Sequence, residues 1–145
     1  MREILFRGKR KDSGEWVFGC YYKQSEFYND EVDDHIIITS HEDLSFDQAL
    51  EYCDVQAETV GQFTGLTDKN GTKIFEGDLI SDGGMNGIPR VVRWIESSAL
   101  FKCPLVRKHW AYDYNDVPLW SMQSEKTEVI GNIHDNPELL EGGAS

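Results

Sequence analysis

Apolar residues in this chain recur mostly at every second position. Trp16, Phe18, Cys20 and Tyr22 alternate with Val17, Gly19 and Tyr21, the period-two pattern of a strand with two faces. Ile4 to Arg7 predicts a partner strand. The basic stretch between them, punctuated by Asp12-Ser13-Gly14, predicts an N-terminal hairpin over Ile4–Arg7 and Trp16–Lys23. Residues 25–34 read as a polar acidic loop, and His35 to Thr39 as a short β-branched strand.

The period then changes. Phe46, Ala49, Leu50 and Cys53 stand at i, i+3, i+4 and i+7, one apolar stripe of a helix. Ser45 and Gln48 have the spacing of a capping box at its start. Asp47, Glu51 and Asp54 form an acidic opposite face. Carboxylates four apart repel by a few tenths of a kcal/mol, so burial of the stripe must hold this helix.

From residue 58 the period returns to two. Glu58–Leu66 predicts a strand, Asp68-Lys69-Asn70-Gly71 a tight turn, and Thr72–Phe75 the return strand. Glu76-Gly77-Asp78 interrupts that strand before Leu79 and Ile80 resume it. Arg90–Glu96, Leu100–Val106 and Thr127–Ile133 predict three more strands, with a loop at 82–87 and an irregular aromatic stretch at 107–121. Asn136-Pro137-Glu138 reads as an N-cap followed by Pro at N1, opening a helical turn over 137–141. Many short strands and one good helix predict a mainly β fold with minor α, an α+β arrangement. The predicted parts are an N-terminal hairpin, acidic loop and helix over 1–58, a β domain over 59–141, and a flexible tail over 142–145.

Composition narrows the function classes. The 145 residues are 39% hydrophobic and 12% aromatic, too apolar for a disordered chain. The longest purely aliphatic run is Ile36-Ile37-Ile38, so the expectation is no membrane span. The apolar stretch near Met1 is too short for a secretory signal, and the chain reads as soluble and cytoplasmic. Charge is unevenly spread. Residues 1–24 carry six basic and three acidic side chains. Residues 25–68 carry twelve acidic and none basic, and residues 69–145 eight basic and eleven acidic, for a net charge of −12. Such a surplus repels phosphate backbones and disfavours nonspecific nucleic-acid binding. The acidic segment either solubilises the protein or meets a basic partner. Cys20, Cys53 and Cys103 include no Cys-x-x-Cys pair and read as reduced, buried thiols.

Thr64-Gly65-Leu66, Asp68, Asn70-Gly71, Ile74 and Glu76-Gly77-Asp78-Leu79-Ile80 resemble the central signature of the YopX-like proteins of phages and prophages. The opening Arg2-Glu3-Ile4-Leu5-Phe6-Arg7 and the closing Val129-Ile130-Gly131-Asn132-Ile133 with Asn136-Pro137-Glu138 are similar to the family's first and last strands. The resemblance implies a small phage-encoded protein with an SH3-like β-barrel in its C-terminal part and a smaller N-terminal element. It implies no enzyme activity. The acidic middle, 25–58, has no counterpart in it. Physically, Gly65, Gly71 and Gly77 mark sharp turns, Asp68 can bond the turn backbone, and Asp78 can cap amides at a bend. These are the marks of folding information.

Three functional readings remain open. The first is a non-catalytic interaction protein acting through protein–protein contacts, with itself and with a host or phage protein. No cofactor is expected. The second is nucleic-acid binding through Arg107, Lys108, Trp110, Tyr112 and Tyr114, with Arg90 and Arg93, since aromatics beside cations can stack bases. The third is a metal-dependent hydrolase using Glu76, Asp78 and Asp82, but no complete ligand or nucleophile spacing is present, so no catalytic or metal residue is assigned.

Overall fold

A computed structural model describes residues 2–25, 33–39, 45, 47–49, 53–84, 87–106, 117–122 and 124–141. They fall into two compact units, Met1–Phe63 and Thr64–Ser145.

In the first unit, strands β1 (Phe6–Lys9), β2 (Trp16–Ser25) and β3 (Asp33–Ile38) form an antiparallel meander. Arg7 lies opposite Phe18, and Lys9 opposite Trp16. Cys20 faces Ile38, and Tyr22 faces Ile36. The first residues of β4 (Gly61–Thr67) join the other side of β1, Gly61 opposite Arg7. The capping box forms as its spacing predicts. The Ser45 amide donates to Gln48 Oε1 at 3.0 Å, and the Gln48 amide donates to Ser45 Oγ at 3.3 Å. Ala49 and Cys53 of the expected stripe are buried against Ile36, with Ile38 packed beside them. Phe46 and Leu50 lie outside the described residues.

The helix ends before Asp54. Asp54 bridges Ile36 and the Val55 amide donates to the His35 carbonyl at 2.9 Å, while the Gln56 amide reaches the Lys9 carbonyl at 2.8 Å. This short extended stretch covers the edge that β3 would otherwise expose. Cys20 departs from expectation. It is exposed, whereas Cys53 and Cys103 are buried. On its sheet face the cover of Ala49 and Cys53 extends over Ile36 and Ile38 of β3, but Phe18, Cys20 and Tyr22 of β2 stay open.

In the second unit, the later residues of β4 neighbour β5 (Lys73–Phe75). Strand β6 (Asp78–Ser81) lies between β7 (Arg90–Val91) and β11 (Glu128–Asn132). A second sheet orders β10 (Val117–Pro118), β9 (Leu100–Cys103) and β8 (Arg93–Ile95). The expected single strand over Arg90–Glu96 is broken at Val92. Val92 is buried, its amide donates to the Asp78 carbonyl at 2.9 Å, and its carbonyl accepts the Gly77 amide at 2.8 Å. One chain segment thus passes from one sheet to the other at a single residue. Ile74, Ile80, Val92, Cys103 and Leu119 make the core, with Phe101, Val117, Met122 and Val129 against it.

The mainly β, antiparallel class with few helical turns is therefore what the chain adopts. The pairings among the described residues do not by themselves close the SH3-like barrel that the resemblance implies. Among the described residues β7 pairs on with the stretch after β9, Arg90 bridging Leu105, the Val91 amide donating to the Pro104 carbonyl and the Val106 amide to the Pro89 carbonyl, each at 3.0 Å, but no pairing closes the strands into a ring. The closing turn also differs in detail. A helical turn spans Glu138–Glu141, but the Asn136 side-chain oxygen does not cap it. It turns back to accept the Asn132 amide at 3.1 Å. Among the described residues, no helix is long and apolar enough to cross a membrane.

Candidate functional site

The signature residues of 64–78 form a scaffold around one tight turn. Gly71 takes φ +78°, a left-handed conformation that glycine adopts without a Cβ penalty. Gly65 and Gly77, both at φ +89°, do the same. Thr64 Oγ1 donates to the Ile74 carbonyl at 2.8 Å, tying β4 to β5. Asp68 is buried, and its Oδ1 accepts the amides of Asn70 and Thr72, each at 2.9 Å. Its Oδ2 accepts the Val129 amide of β11, also at 2.9 Å. One carboxylate therefore closes the turn and fastens it to a strand sixty-one residues away. Burial opposes the charged form, but the amides of Val129, Asn70 and Thr72 outweigh it and hold the Asp68 carboxyl below its ordinary range.

Asp78, 1% exposed, accepts the Phe75 amide at 2.8 Å across the Glu76-Gly77 bend. Asp82 serves a different loop. Its Oδ1 accepts the Gly84 amide and its Oδ2 meets Arg90 Nε, both at 2.9 Å. Burial raises the Asp82 carboxyl, and the Gly84 amide and Arg90 together pull it below its ordinary range. Each of these two carboxylates is thus committed to local structure. Among the described residues, no three His, Cys, Asp or Glu side chains gather as a metal-binding group.

Arg90 itself is buried. Its Nη1 donates to the Cys103 carbonyl at 2.9 Å while Nε holds Asp82. It is therefore not presented to a phosphate. Burial pushes the Cys103 thiol up to about 12, with neighbouring Arg90 pulling the other way, so this cysteine stays protonated and unreactive at neutral pH. Arg107, Lys108, Trp110, Tyr112 and Tyr114 lie outside the described residues. Of the expected acidic face, Asp47 is exposed, Glu51 lies outside the described residues, and Asp54 pairs with Lys11 Nζ at 3.2 Å.

An open aromatic site does appear just beyond that stretch. Leu119 is buried in the core and anchors a single 3₁₀ turn, Leu119–Ser121. The Met122 amide donates to the Leu119 carbonyl at 3.0 Å, and Ser121 Oγ donates to the Pro118 carbonyl at 2.7 Å. With its neighbour held inward, Trp120 is turned out and is 72% exposed. It rims an open groove lined by Leu66, Ile74, Leu119, Met122 and Thr127. Burying the open part of an indole, on the order of 150 Å2, is worth about 3–4 kcal/mol at ~25 cal/mol per Å2. Period-two reading could not find Trp120, because a 3₁₀ turn follows neither strand nor helix spacing.

The chain belongs to the YopX family: the family model described as "YopX protein" matches residues 5–141. Among solved structures it is similar to protein EF1440 from Enterococcus faecalis, with a TM-score of 0.49 and 19% sequence identity over 97% of this chain and 99% of that one. No curated protein matches it.

Proposed function

We infer that this YopX-family chain is a phage- or prophage-encoded, non-catalytic interaction protein that works in the bacterial host cell through protein–protein contacts, including contacts with itself. The observation carrying this reading is Trp120, held out by a rigid turn at the rim of an apolar groove. Tryptophan is enriched among residues that dominate binding energy at protein interfaces. Two of the three carboxylates that a hydrolase would use, Asp78 and Asp82, are engaged by backbone amides and by Arg90, which favours binding over chemistry. The finer architecture belongs to the same reading. An SH3-like barrel left open at one seam is part of it, supported by the strand switch at Val92, the pairing of β7 with residues 104–106 and the core shared by both sheets.

Sedimentation velocity over a concentration series tests this. The wild type is expected to associate, and Trp120→Ala to weaken association about a hundredfold, equivalent to ~2.8 kcal/mol. A wild type that stays monomeric at every concentration, with Trp120→Ala indistinguishable from it, would refute self-association through this groove.

A further inference from the structure

A second surface of the same unit carries a charge arrangement that the groove does not explain. Arg93 of β8 and Lys102 of β9 are direct register partners. Residues directly opposite on adjacent strands project from the same face with Cβ atoms about 5 Å apart, and like charges in that position destabilise a sheet. Arg93 is exposed and Lys102 half-buried. Among the described residues, neither makes an ion pair or hydrogen bond with a side chain. In a chain with 26 acidic residues, two juxtaposed cations with no counter-charge among the described residues mark a place that an anionic group from outside can occupy.

The surroundings give that group a body. Ile95, two residues on from Arg93 in β8, shares its face, and Val91 and Pro104 lie beside them. With Leu140 of the closing turn they line an open trough alongside Arg93. The surface therefore suits carboxylates interleaved with apolar side chains. This chain carries such a segment itself: residues 25–68, with twelve acids and no base. Asp47 and Glu58 are exposed members of it.

We propose that the Arg93–Lys102 face of one copy docks the acidic 25–68 segment of a second copy. This rests on the self-association inferred above and names its surfaces. Copies of net charge −12 repel as wholes, and setting the basic face of one against the acidic stretch of the next offsets that repulsion.

The test mixes 14N- and 15N-labelled wild-type protein, joins carboxylates to lysines with a zero-length carbodiimide, and maps the products by mass spectrometry. The expected product is a mixed-label link between Lys102 and an Asp or Glu of 25–68. In sedimentation, the double variant Arg93→Glu/Lys102→Glu should associate at least tenfold more weakly. Adding Asp47→Lys and Glu58→Lys should recover part of the loss. Absence of any mixed-label link from Lys102 to 25–68 overturns the proposal, as does wild-type association in the double variant. If the wild type associates and Trp120→Ala weakens it while the double variant does not, only this proposal falls. A wild type that never associates removes both readings. A fluorescein-labelled single-stranded oligonucleotide is the control probe. Its capture by the wild type and loss in the double variant, with association unchanged, would assign the face to nucleic acid instead.

Discussion

Asp68 offers the sharpest test of the scaffold. Its carboxylate accepts three backbone amides at 2.9 Å, two from its own turn and one from Val129. A hydrogen bond to a charged group contributes about 1.5–3 kcal/mol net. Asp68→Ala removes all three, but Asn70 and Thr72 are exposed, so water can take up their amides. The expected loss is about 4 kcal/mol, a large share of the ~5–15 kcal/mol that holds a typical domain. Asp68→Asn keeps one oxygen for the turn, where neutral acceptors are roughly half as strong. Its amide nitrogen, however, confronts the Val129 N–H donor to donor. The expected loss is about 3 kcal/mol. Urea unfolding followed by fluorescence measures both values.

The pH dependence gives an independent reading of the same bonds. The folded pKa of Asp68 is depressed, so the unfolded chain binds the proton more tightly. The stabilisation is therefore fully present above the unfolded value, roughly 3.9, and is lost as pH falls through the lower folded value. The gap between wild type and Asp68→Asn should stay flat near neutrality and shrink below pH ~4. An Asp68→Asn protein as stable as wild type at pH 7, or a gap unchanged down to pH ~2, would refute the assignment.

Gly131→Ala is expected to cost about 1–3 kcal/mol, because a Cβ there would collide with Asn136 Oδ1 and displace the bond to the Asn132 amide. In an Asn136→Ala background the same change should cost measurably less, and equal costs in the two backgrounds would show that the contact does not govern this position. For the cysteines, native protein at pH 8 should release one equivalent of thiol-reactive dye, from exposed Cys20, while buried Cys53 and Cys103 react only after unfolding. Rapid native labelling of Cys103 would contradict its burial and the elevation of its thiol to about 12.

What was legible in the sequence is what acts over a few residues. The Asn70-Gly71 turn, the Asp68 bond to the amide two residues on, the Ser45–Gln48 box and the Glu76-Gly77-Asp78 bend each close within four positions, so residue identity settles them. Strand existence was legible for the same reason, since alternation is a local signal. Alternation does not say which face of β2 is covered. Cys20 stays exposed because the helical cover reaches only the neighbouring strand. Nor does it say where a strand changes sheet, as at Val92, or that Asn136 serves Asn132 rather than its own helical turn.

The sequence by itself determined a mainly antiparallel β chain, its turns, and an acid surplus concentrated in one segment. Tertiary structure alone decided that Asp68 reaches Val129, that Arg90 is buried on Asp82, that Trp120 is thrust outward, and that Arg93 meets Lys102. Each of these depends on register or packing between residues distant in the chain. Such pairings follow from how the whole core closes, and no local pattern encodes them.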